Sequence, residues 1–242
     1  LLVLNKFPVI AEHFILATKT IKQQTHALEQ DDLEATYACL KAWQEGEAQG
    51  KQKRLFAFFN SGEHSGASQP HRHLQFLPVE NMANDEQSSD WDLLIDIMLS
   101  RDTSTGLRQQ SAVPFTHFAI QLPINPTGPQ LLQIYNDLYH AAKHAVDAFM
   151  TANPGSLALH PIDAESLPIS YNLAMTLEGM AICPRRAEGE MLKREDGTEI
   201  GFIALNGTTL GGTLMVKHQE EWEVLRAQPE KLESILETIG IP

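Results

Sequence analysis

The chain has 242 residues, 43% hydrophobic and 20% charged, a balance typical of a globular protein able to bury a sizeable core. Its formal net charge of −13 argues against nucleic acid and anionic membranes as partners, because both require broad basic surfaces. No apolar run approaches the roughly 20 residues of a membrane span. Cys39 and Cys183 stand alone outside any CxxC pattern, so a reducing, cytoplasmic setting is expected, not a disulfide framework or a zinc site.

The chain opens at Leu1 inside an apolar run without an initiator Met, and no signal peptide is evident. This reads as a piece lacking an N-terminal segment. Residues 1–7 are apolar and branched, as in a buried strand, and residues 13–18 resume as a second strand after Pro8. Residues 19–29 are polar and read as a connection. Asp31 with Glu34 three residues on forms a capping-box-like start. Leu33, Tyr37 and Leu40 then carry a helix to Gly46 or Gly50. A basic run at 51–54 reads as a solvated loop, and residues 55–59 form a short apolar strand.

Residues 80–90 are polar and loop-like, and residues 91–99 form a short apolar helix. Residues 101–111 are polar without a period and stand as a candidate lid. Residues 115–122 alternate as a strand. The punctuation Pro123, Pro126, Gly128, Pro129 precedes a long helix whose Leu131, Tyr135, Leu138, Ala142, Ala145 and Phe149 keep the helical period up to Asn153-Pro154-Gly155. His140 and His144 lie one turn apart on it but lack a third ligand, so they read as surface residues. Residues 170–175 and 180–183 read as paired strands and 187–198 as an exposed loop. Residues 200–205 form another strand, and two helices follow at 219–227 and 229–239, with Pro229 near the start of the second.

The informative stretch is Asn60-Ser61-Gly62-Glu63-His64-Ser65-Gly66-Ala67-Ser68-Gln69-Pro70-His71-Arg72-His73-Leu74-Gln75-Phe76. Its first part is a Gly/Ser loop. Gly66 can adopt positive φ, Ser61, Ser65 and Ser68 offer hydroxyls, and the backbone N–H groups can turn inward as an anion nest. Its second part alternates as a strand, with His71, His73 and Gln75 on one face and Arg72, Leu74 and Phe76 on the other. A metal site of the His-x-His strand type needs a further ligand soon after, and Leu77 and Pro78 stand there instead. Two ordinary core histidines would not explain the Gly/Ser loop before them. The remaining reading is nucleophilic attack on phosphorus by a neutral imidazole whose other nitrogen is held by an acceptor.

This stretch resembles the histidine-triad superfamily, and in its form Ser-Gly-Ala-Ser-Gln-Pro-His-Arg-His-Leu-Gln it is similar to the diadenosine tetraphosphate phosphorylases, or ATP adenylyltransferases. Leu4-Asn5-Lys6-Phe7-Pro8 and His13 through Lys19 resemble the family's segments before the site. Tyr171-Asn172-Leu173, Cys183-Pro184-Arg185 and Leu205-Asn206-Gly207 with Leu214-Met215-Val216-Lys217 resemble its C-terminal segments. The resemblance implies an α+β fold, an antiparallel sheet flanked by helices, forming a single catalytic domain over 1–242 with a C-terminal extension.

By the same resemblance His73 falls on the nucleophile, His71 on the supporting histidine and Gln75 on the third triad position. Asn60 and Ser68 fall on phosphate-side positions, joined in the expected binding set by Ser65, Gly66, Gln69 and Lys6. Asn5 falls where the superfamily touches the ribose, although this branch carries Asp there. Gln75 can act as neither acid nor base, which favours transfer between phosphates over hydrolysis, since phosphate leaving groups have a pKa of only about 6. The expected reaction is phosphorolysis of diadenosine tetraphosphate to ATP and ADP through a His-AMP intermediate. Magnesium would travel with the polyphosphate. Arg72, Arg185 and Lys217 are further candidate cations, with Arg72 placed on the wrong face for catalysis. A monomer or dimer is expected. The alternatives are a hexose-1-phosphate uridylyltransferase-like enzyme, which usually has Pro where Arg72 stands, and a non-catalytic nucleotide-binding protein on the same fold.

Overall fold

The computed structural model describes residues 1–46, 53–82, 91–100, 106–160 and 166–242. Among these residues seven strands form one sheet: β1 (Leu2–Leu4), β2 (Phe14–Ala17), β3 (Leu55–Ser61), β4 (His73–Pro78), β5 (Phe118–Gln121), β6 (Ser170–Met175) and β7 (Gly179–Arg185). Their order is β1-β2-β4-β3-β6-β7-β5, and every neighbouring pair is antiparallel. The expected α+β architecture is therefore present. Strands from both halves of the sequence interleave, with β3 of the first half hydrogen-bonded to β6 of the second.

Register assigns the two faces. Phe14, Leu74, Phe76, Ala57, Phe59, Tyr171 and Leu173 share one face, where α1 (Gln30–Glu45) and α4 (Gly128–Ala152) cover them with Leu33, Leu40, Leu131, Leu138 and Val146. Phe14 stacks on Phe76 with ring centroids 4.6 Å apart. The other face carries Phe56, Phe58, Leu77, Ala174 and Ala181. Among the described residues it is covered only in part, by α3 (Leu94–Leu99) and a 3-10 turn at Gly207–Gly211. The short helix α2 (Val79–Met82) follows β4 directly. Burial of large apolar side chains at about 1.5–3 kcal/mol each makes the two faces the main source of stability.

A hairpin of β8 (Gly189–Lys193) and β9 (Glu199–Ala204) follows the main sheet, and α5 (Gln219–Ala227) and α6 (Pro229–Ile239) close over it around Ile203, Leu205, Ile235 and Ile239. This corrects the expected loop at 187–198. Asp196-Gly197, with Gly197 at φ +86°, turns a short polar strand back onto β9.

Two further expectations change. β1 is an exposed edge strand, not a buried one: among the described residues its one sheet neighbour is β2, and Leu2 and Leu4 are exposed. Helix α1 starts two residues earlier than Asp31 implies, with Glu29 as N-cap and its N–H donating to Asp32 Oδ2 at 2.9 Å. The basic run at 51–54, the loop at 80–90 and the candidate lid at 101–111 lie partly outside the described residues.

Candidate active site

β4 presents His73 and Gln75 on the incompletely covered face. The register that pairs Phe58 with Gln75 leaves Asn60 level with His73 on the same face. There the two strands diverge, and Gln24 fills the gap. Its Nε2 donates to Asn60 O at 2.8 Å and to His73 O at 3.1 Å, while its Oε1 accepts from His73 N–H at 2.8 Å. A buried side-chain amide thus replaces a peptide unit in the ladder and fixes the backbone of the proposed nucleophile.

His73 Nδ1 lies 2.7 Å from His71 O. A carbonyl only accepts, so Nδ1 carries the proton and Nε2 carries the lone pair. Nε2 has no hydrogen-bond partner among the described residues. Burial lowers the His73 pKa, opposed in part by the bond to His71 O and aided slightly by the His71 ring, so the neutral ring is favoured. Thr18 Oγ1 donates to Thr20 O at 2.8 Å and lies 2.9 Å from His71 Nε2, so the ring nitrogen donates there. Both triad imidazoles are therefore held in defined tautomers.

Gln75 is half-buried beside a cleft of about 190 Å³ lined by Asn5, Phe7, Ile10, His13, Phe58 and Leu77 among others. Asn5 Oδ1 accepts from Phe7 N–H at 3.1 Å, so its Nδ2 is the donor toward His13 Nδ1 at 2.9 Å. The His13 pKa is lowered by burial, with the adjoining Gln75 amide opposing the shift. The cleft joins an apolar floor to amide and imidazole groups at one end, the chemistry a nucleoside requires.

Gly62 and Gly66 take positive φ of +86° and +73° in the Gly/Ser loop, as expected for Gly66. A Cβ at Gly66 would come within 2.6 Å of Leu205 O, so only glycine lets the loop approach the backbone just after β9. The nest is smaller than the sequence implies. His64 N–H donates to Ser170 Oγ at 3.2 Å and Ser65 N–H to Gly62 O at 3.2 Å. Ser65 is fully buried with its hydroxyl donating to Gly62 O at 2.6 Å, so it builds the turn and does not offer that proton to a ligand. From Gly66 to Gln69 the N–H groups make no hydrogen bonds among the described residues, and Ser68 and Gln69 are exposed.

Asn60 is buried. Its Oδ1 accepts from Asn172 Nδ2 at 2.9 Å and from Gly207 N–H at 2.8 Å. Arg185 is also buried and donates to Asn172 Oδ1. The segments around Asn172, Arg185 and Gly207 thus converge on Asn60. Lys6 is exposed, its Nζ 5.2 Å from the Phe7 ring centroid, and Lys217 is exposed on the surface. Arg72 faces away from the site, paired with Asp32 at 2.8 Å and Glu29 at 3.0 Å. His140 and His144 are exposed, and among the described residues no three His, Cys, Asp or Glu side chains are grouped to hold a metal.

The profile of the Ap4A phosphorylase N-terminal domain matches residues 1–95, and that of the ATP adenylyltransferase C-terminal domain matches residues 111–242. The chain belongs to the Ap4A phosphorylase family. Protein APA1 of Saccharomyces cerevisiae is 30% identical over 252 residues, spanning all of this chain and 68% of that protein. Diadenosine 5',5'''-P1,P4-tetraphosphate phosphorylase 2 of the same yeast is 28% identical, across all of this chain and 69% of the relative. The crystal structure of yeast Ap4A phosphorylase Apa2 superposes with a TM-score of 0.74 at 26% identity, covering all of this chain and 72% of that one. Its complex with Ap4A gives a TM-score of 0.73 at 25% identity, over all of this chain and 73% of that one.

Three residues of this candidate site were not singled out from the sequence. Gln24 lies in a polar connection with no motif around it. His13 looked like one more strand residue, although a histidine amid Phe14, Ile15 and Leu16 was an available signal. Asn172 acquires meaning only through its long-range partners.

Proposed function

We propose that this member of the Ap4A phosphorylase family transfers AMP between phosphates through His73. The observation that carries this reading is the fixed tautomer of His73, whose Nδ1–H is held by His71 O while Nε2 has no partner among the described residues, on the strand that follows a loop with uncommitted N–H donors. In the first step Nε2 attacks the α-phosphorus of diadenosine tetraphosphate, the bond to the bridging oxygen breaks and ATP leaves. In the second, an oxygen of inorganic phosphate attacks the same phosphorus, the P–N bond breaks and ADP leaves. The charge on the adenylylated ring is stabilised by the Nδ1–H···O bond to His71. No proton need reach the leaving phosphate, which matches an amide at position 75.

The N–H groups of residues 66–69 and the Ser68 hydroxyl are placed to receive phosphate oxygens, the half-buried cleft at Asn5 and His13 to receive the nucleoside, and the exposed Gln69 and Lys6 to meet the outer phosphates. A magnesium ion would arrive bound to those phosphates, since the described residues offer no carboxylate cluster for it. We place the protein in the cytoplasm, in keeping with its two free cysteines, and as a monomer or dimer.

Intact-mass measurement after incubation with the dinucleotide tests the reading. The chain is expected to gain one AMP, and His73→Ala to gain none. A wild-type chain that binds the dinucleotide and never carries AMP would overturn it. A UDP-sugar serving as the better donor would favour the uridylyltransferase chemistry instead.

A further inference from the structure

The amide of Asn60 can sit in its site in two senses, with either NH2 or oxygen turned toward His73. The two differ little in shape and oppositely in charge. NH2 would donate to an oxygen of the transferring phosphoryl group; a carbonyl oxygen would repel it.

The sense is dictated from a distance. A guanidinium has only donors, so the Asn172 atom facing Arg185 must be oxygen. The opposite end of that amide is then Nδ2, which donates to Ser65 O at 2.8 Å and to Asn60 Oδ1 at 2.9 Å. Gly207 N–H is also an obligate donor, and it too faces Asn60 Oδ1 at 2.8 Å. Two independent donors thus claim the oxygen of Asn60, and its Nδ2 makes no hydrogen bond among the described residues. Arg185 is itself held rigidly: its Nη2 donates to Ala187 O, Glu188 O and Leu205 O at 3.0–3.1 Å. All of these acceptors are neutral oxygens. Burial pulls its pKa down to about 10, which still leaves it protonated at neutral pH.

We propose that Arg185 and Asn172 are positioning residues that lock the side-chain amide of Asn60 with its NH2 toward the phosphoryl group transferred at His73. The proposal rests on the AMP-transfer reading above for its kinetic consequence but not for the orientation itself. It assigns a role to the second half of the chain, which builds no part of the His-x-His-x-Gln strand. The buried charge of Arg185 sets the orientation of one amide, and that amide sets the orientation of the next.

Asn172→Asp tests it. The new carboxylate still accepts from Arg185, so the fold keeps its anchor. It has no proton for Asn60 Oδ1, so the Asn60 amide loses one of the two donors and meets a repelling oxygen. The single-turnover rate of AMP adduct formation is expected to fall about 100-fold, the scale of losing one oriented donor, with adenosine affinity unchanged. In an Asn60→Ala background the same substitution is expected to cause no further loss, because the residue it acts through is gone. A wild-type rate in Asn172→Asp, or an undiminished effect in the Asn60→Ala background, would overturn the proposal. A second readout does not depend on turnover. The side-chain NH2 resonances of Asn60, assigned by their disappearance in Asn60→Ala, should shift in Asn172→Asp and in Arg185→Met and stay near their wild-type positions in Arg185→Lys. Unmoved resonances in the first two variants would overturn the proposal even if the chain transfers no nucleotide. Shifted resonances in a chain that forms no adduct would leave the orientation standing and refute the AMP-transfer reading alone.

Discussion

Arg72 stands between the two histidines of the motif, where a phosphate-binding role is tempting. The structure predicts that Arg72→Met damages stability and spares chemistry. Its side chain is 2% exposed and projects to the helix-covered face, where it meets Asp32 at 2.8 Å with that carboxylate 12% exposed. Glu29, 53% exposed and bonded to Lys22 at 2.6 Å, keeps a partner without Arg72 and matters less. The cost is therefore mainly that of stranding one largely buried carboxylate, about 3 kcal/mol, at the lower end of measured values for breaking a buried pair. Asp32 also accepts from the Glu29 N–H at the start of α1, so the substitution loosens that helix end as well. Urea denaturation should show the loss as a lower midpoint with an unchanged slope, and for a chain of this size the melting temperature should fall by about 10 °C. Adding Asp32→Asn should recover part of the loss, because it removes the orphaned charge. The AMP adduct, measured per folded molecule, should form at close to the wild-type rate. A stable Arg72→Met protein that cannot be adenylylated would refute the assignment of this arginine to the structural face.

Burial lowers the pKa of His13, His73 and His117, so each binds its proton less readily folded than unfolded. Their contribution to stability is fully present above the unfolded value near pH 6.5 and is lost as pH falls through the lower folded values. Melting temperatures should drop on acidification below that point and stay level above it. His117→Gln should flatten the drop, because protonating His117 would break the bond its Nε2 accepts from Gln110 N–H at 2.9 Å. Gly66→Ala should cost at least about 1–2 kcal/mol from the left-handed backbone alone, with further loss from the contact at Leu205 O, measurable by calorimetric melting. Asn5→Asp should raise the His13 pKa, seen in the ring-proton NMR titration, because a carboxylate cannot donate to Nδ1 and favours the protonated ring.

Local pattern carried much of the fold. The alternation from His71 to Phe76 correctly separated the site face from Arg72, and periodicity with proline and glycine punctuation located α4, α5 and α6. It failed where a distant partner decides the outcome. Asp31 looked the better helix cap, but Arg72 and Lys22 gather around Glu29 and fix the start there. Residues 189–193 are too polar to declare a strand until β9 lies alongside them. Residues 2–4 are apolar enough for a core, yet topology puts them at the sheet edge. In the site, the motif located the imidazoles and the loop. Their tautomers depend on Thr18 and the His71 carbonyl, and Asn60 depends on residues more than a hundred positions away.

The fork held open by Gln24 has a consequence for ligand capture. Were β3 and β4 zipped together to their ends, the chain between them would be a tight hairpin with its amide protons turned across the ladder, and an arriving anion would find none to bind. By standing in for the missing neighbour on one side, a single glutamine releases the following residues from sheet duty, and the N–H groups of residues 66–69 have no partner among the described residues. On the proposed AMP-transfer reading, shortening that side chain is expected to weaken anion capture before the sheet itself gives way.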